Sequence, residues 1–177
     1  MIEADQVFVK SSSRDAVIAS LNDAVQSRGL EIRFEQLPLP DRYTTPDRKT
    51  TRHFYVSQPV NGWVCVLESK GGDAELARQL STMLNTKAVW LSFSHRAGQV
   101  SYTVISAGDV VKDETIQERK KQRSWFGQAR DNLVEQGQQV YQREGLPWPF
   151  YSYEQVDHSP NKDEYFVHVN FGRGRST

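Results

Sequence analysis

Twice in this chain the spacing of apolar residues switches from alternate positions to every third or fourth position, and back again. In the first instance Val7 and Val9 alternate with Phe8. Val17, Leu21, Ala24 and Val25 then fall on one stripe, and Ile32 and Phe34 alternate within residues 30–37. In the second, the run from Gly62 to Glu68 precedes a stripe of Leu76, Ala77, Leu80, Met83 and Leu84. Val89, Trp90, Leu91 and Phe93 follow within residues 88–94. Alternation belongs to strands and the three-to-four spacing to helices, so two strand–helix–strand units are predicted. Punctuation agrees: Ser11 to Ser13 and Asp73 are good helix caps, and Gly29 and Asn85 are good stops. Asp15-Ala16 matches Asp73-Ala74, a generic match that the common grammar of such units explains better than duplication does.

A striped helix must bury its apolar side against something. Two of them on one face of a mostly antiparallel sheet is the simplest arrangement, so the expected fold class is α+β. Residues 52–57, 99–106 and 110–111 supply further strands. Short turns at His95 to Gly98 and Ala107 to Asp109 argue for an antiparallel meander. Residues 115–144 form a longer polar helix near the C-terminus, with a thin seam of Phe126, Ala129, Leu133 and Val140. It ends at Gly145 and Pro147, and a last strand runs from Glu164 to Phe171. The chain of 177 residues is expected to be one domain. Residues 1–114 make the core sheet and two helices. Residues 115–177 add the C-terminal helix, an aromatic loop and a strand packed on them. The segment 38–51 holds Pro38, Pro40 and Pro46 and keeps no periodicity, and its role is open.

Twenty-two basic residues balance 22 acidic ones, so no global charge recruits nucleic acid or an anionic surface. The single cysteine, Cys65, lies in the apolar run Trp63 to Leu67 and reads as a packed small hydrophobe rather than a nucleophile. The acidic start, Met1 to Asp5, lacks the pattern of a secretory signal, and no apolar run approaches the length of a membrane span. A cytoplasmic protein without membrane attachment is expected. His53, His95, His158 and His168 are scattered, with no pair at the spacing of a zinc-binding helix, so neither a metal nor a cofactor is expected.

Several groups of residues are candidate sites. The loop Lys10, Ser12, Ser13 and Arg14 precedes a helix start and suits an anion, although ordinary capping explains the same residues. Arg119, Lys120, Lys121 and Arg123 precede Trp125 and Phe126. Cations beside aromatics suit phosphate contact with base stacking, against the simpler reading of a solvated helix face. Trp148, Phe150, Tyr151 and Tyr153 form an aromatic stretch that serves either as a lid on the core or as a surface for a protein partner. The leading expectation is a non-catalytic interaction module that holds another protein. A toxin-neutralising or complex-assembly protein of a bacterium fits that description. An acid–base enzyme using Glu68, His95 or His53 is the alternative, and a nucleic-acid binder through residues 119–126 is the third.

Overall fold

The computed structural model describes residues 3–26, 51–69, 71, 73–117, 129–147 and 153–172. The first alternating segment is β1 (Glu3–Lys10), and the first stripe is α1 (Arg14–Gln26). The chain returns as β2 (Thr51–Ser57) and turns into β3 (Trp63–Glu68) through Asn61 and Gly62, both at positive φ. Then come α2 (Ala74–Met83), β4 (Lys87–Ser94), β5 (Gln99–Ser106) and β6 (Asp109–Gln117). The C-terminal third supplies α3 (Ala129–Glu144), the short α4 (Tyr153–Asp157) and α5 (Lys162–Tyr165), and β7 (Phe166–Gly172). Asp73 caps α2, its carboxylate accepting the Leu76 amide at 2.6 Å. Asn85, just beyond α2, takes the left-handed conformation expected of a stop, with φ of 48°.

One seven-stranded sheet runs in the order β6-β5-β4-β1-β3-β2-β7, with every neighbouring pair antiparallel. Its centre, β4-β1-β3-β2, with α1 and α2 as the two crossovers, is the split β-α-β arrangement called ferredoxin-like. The β5–β6 hairpin widens one side and β7 the other.

Alternation sorts the strands onto two faces. Val7, Val9, Val64, Val66, Phe54 and Val56 gather with Val17, Leu21, Leu76 and Leu80, so α1 and α2 share one face, as the stripes require. Phe8, Cys65, Leu67, Leu91 and Tyr102 gather with Leu133, Val140 and Tyr141 of α3 and Val156 of α4 on the other. Every residue of β3 is buried, and a strand covered on both sides reads as an unbroken apolar run, which is what Trp63 to Leu67 is. The buried Tyr141 ring meets Phe8 edge-on at 5.5 Å, and its hydroxyl donates to the Gln6 side chain on β1.

The helix expected from Thr115 does not begin there. Ser101, Val100 and Gln99 of β5 pair with Thr115, Ile116 and Gln117, and β6 runs on through them. Their polar composition resembles a solvated helix, but on a terminal strand only one face is covered, and pairing decides. The alternating segment 30–37, the stop at Gly29 and the segment 38–50 lie outside the described residues.

Candidate functional site

Strand β2 carries chemistry on both faces. On the α1/α2 side, Arg52 and Glu68 form a bidentate ion pair, Nε to Oε1 and Nη2 to Oε2 both at 2.6 Å. The side chains are 12% and 3% exposed, and the guanidinium lies 5.2 Å from the centre of the Phe54 ring. Both oxygens of Glu68 thus serve a fixed partner, the arrangement of a structural carboxylate rather than of a proton donor. On the opposite side, His53 Nδ1 lies 3.2 Å from His168 Nε2 of β7, the rings nearly parallel at 9°. Beside them the Tyr55 hydroxyl donates to Asp157 Oδ1 at 2.5 Å.

The three residues of the acid–base alternative are therefore not brought together. Glu68 and His53 face opposite sides of the sheet, and His95 lies at the β4–β5 turn, edge-on to Phe93 at 4.8 Å. Cys65 is buried, and desolvation pushes its thiol far above the ordinary range, so it stays protonated and packed.

At the anion-binding candidate, the Ser13 hydroxyl accepts the Ala16 amide at 3.2 Å. The Ser11 hydroxyl accepts the Ser13 amide at 3.1 Å and donates to the Ser13 carbonyl at 3.0 Å. These serines cap and shape the start of α1, while Lys10 and Ser12 face solvent and Arg14 is half-buried. Arg119, Lys120, Lys121 and Arg123 lie outside the described residues, as do Trp148, Phe150 and Tyr151. Tyr153 opens α4, with its side chain outside the description.

Sequence reasoning missed two features. The Tyr102 hydroxyl, between β5 and α3, donates to Glu114 and accepts from Arg143, with Lys112 and Arg143 each 5.1 Å from the ring centre. The Tyr102 hydroxyl and the Lys112 ammonium hold Glu114 below the usual carboxylate range. Burial first, and then the Glu114 contact, raises the Tyr102 phenol. The alternation of β6 gives the shared face, but only the α3 contact brings in Arg143.

The second feature is the start of β6. Val104 pairs with Lys112 and Ile105 with Val110, so Val111 is an extra residue, a bulge. Val110 and Val111 are 56% and 61% exposed. The preceding turn is tied to the end of α2, the Gly108 amide donating to Ser81 Oγ at 3.1 Å and the Ala107 amide to the Thr86 carbonyl at 3.1 Å. That end of α2 also exposes Met83, at 44%.

Comparison with known proteins finds no matching family model, curated protein or solved structure. Among the described residues, no three His, Cys, Asp or Glu side chains are grouped to hold a metal ion, and no helix is long and apolar enough to cross a membrane.

Proposed function

We propose that this protein acts by binding another protein, in the manner of a toxin-neutralising or complex-assembly module, and not by catalysis. The exposed Val110-Val111 pair on a terminal strand carries the reading. Single exposed apolar residues are ordinary, but two adjacent valines at a bulge make an apolar platform, and the turn before them is tied to the end of α2 that exposes Met83. The neighbouring residues of β6 are polar: Asp109 and Asp113 are exposed, and Lys112 and Glu114 are ion-paired at 3.2 Å. Bulges and charges on an edge discourage addition of another strand, so the platform suits side-chain docking. The aromatic stretch Trp148, Phe150, Tyr151 and Tyr153 is the second contact surface in this reading. The commitment of Glu68 to Arg52 and the buried state of Cys65 support a structural use of these groups.

The test is the double substitution Val110→Lys/Val111→Lys. Both side chains are more than half exposed, so the melting temperature is expected to stay within about 2 °C of the parent. A stoichiometric protein that co-purifies with the parent is expected to be lost. Retention of that protein by a folded double variant would refute the proposal.

A further inference from the structure

We propose that the His53–His168 pair is an acid-operated latch holding β7 and the α4–α5 segment onto the edge of β2. Among the described strands β7 pairs with β2 alone, from Thr51↔Gly172 to Ser57↔Phe166, so its backbone attachment rests on one ladder, beside which Val169 and Val167 pack on the α1/α2 core and Phe166 on the other. In that ladder His168 stands opposite Tyr55, its ring 5.0 Å from the phenol ring, and reaches His53 two residues away along β2. His53 is 8% exposed. The same Tyr55 binds Asp157 of α4. The Lys162 ammonium of α5 donates to the Asp157 carbonyl at 2.6 Å and lies 3.9 Å from its carboxylate, so β2, β7, α4 and α5 meet in one cluster.

Proton counting makes the cluster a switch. Between two neutral imidazoles, one N–H occupies the 3.2 Å gap between Nδ1 and Nε2. One added proton is tolerated, because a cationic ring can donate across the gap to its neutral neighbour. A second is not: both facing nitrogens then carry hydrogens, and two like charges meet. Among the described residues, the charged and titratable groups facing His168 are His53, Lys162 and Asp157. Burial first, then His53, and also Lys162 push His168 down to about 4, while Asp157 pulls the other way. A released β7 exposes the same imidazole to water, where it titrates near 6.5, so the released state takes the proton first. Acid therefore favours release, and release grows as the pH falls from about 6.5 through about 4.

Hydrogen exchange read by mass spectrometry at about pH 7 and about pH 3.5, corrected for intrinsic rates, tests the latch on the whole chain. In the parent, residues 153–172 are expected to lose at least about tenfold in protection at the lower pH while β1 and β3 stay protected. His168→Asn keeps a hydrogen-bonding group that cannot become charged and is expected to retain protection at both pH values. His168→Gln serves the same purpose if His168→Asn does not fold. Undiminished protection in the parent at low pH would overturn the latch. So would equal loss in the uncharged variants, which would place the acid sensitivity in Asp157 or in the fold at large.

Discussion

Glu68 ends the apolar run of β3, and what it does there depends on Arg52, sixteen positions earlier in the chain. Removing one partner of a buried pair strands the other charge, whereas replacing both with apolar groups removes the desolvation cost as well. Glu68→Ala is expected to destabilise the protein by about 3 kcal/mol in urea unfolding, and Arg52→Met/Glu68→Leu by less than about 1 kcal/mol. A small loss in the single variant would show that water reaches the guanidinium. Alternation from Val64 and Val66 puts Glu68 on their face, but a strand-end glutamate reads first as solvated, so its burial is a finding of the structure and only its face was legible in the sequence. Its partner was not, because the pairing of β2 with β3, Phe54 opposite Glu68, decides which cation arrives. The same holds for His53 and His168, which are 115 residues apart and joined by one register.

At the scale of elements, the stripes of α1 and α2, the caps at Ser13 and Asp73 and the stop at Asn85 were readable, since a stripe and its punctuation are local. The polar strand was not. Residues 115–117 belong to β6 because β5 offers a ladder, and no local pattern announces that offer. Turn chemistry offers a test at this level. The two-residue turn joining β5 to β6 places Ala107 at φ 48° and Gly108 at φ 93°. Both central positions of such a turn need positive φ, which suits asparagine followed by glycine and strains alanine. Ala107 is exposed, so Ala107→Asn is expected to stabilise the protein by about 0.5–1 kcal/mol in the same unfolding measurement. Gly108→Ala is expected to be damaging, because a Cβ there would strike the Thr82 hydroxyl. Stabilisation by Gly108→Ala would mean that the turn is not held against α2.

For the whole molecule, the chain's own helices cover both faces of the central strands. The apolar run from Trp63 to Leu67 already signals a two-sided strand. The thin seam of the C-terminal helix gives Leu133 and Val140 to the second face, completing a three-layer arrangement. In the proposed reading a partner meets the perimeter: the bulged start of β6, the end of α2, and the β2–β7 side with its histidine pair. None of these perimeter features has a strong signature in sequence. Val110-Val111 reads simply as a short strand until Val104 and Ile105 are seen to pair around the extra residue. A photoreactive phenylalanine analogue in place of Val111, irradiated in living cells, tests the docking claim most directly, with the same analogue in place of the exposed Asp23 of α1 as the control. One discrete adduct to a single protein is expected from position 111 and none from position 23. No adduct at position 111, or the same adducts at both positions, would contradict the account.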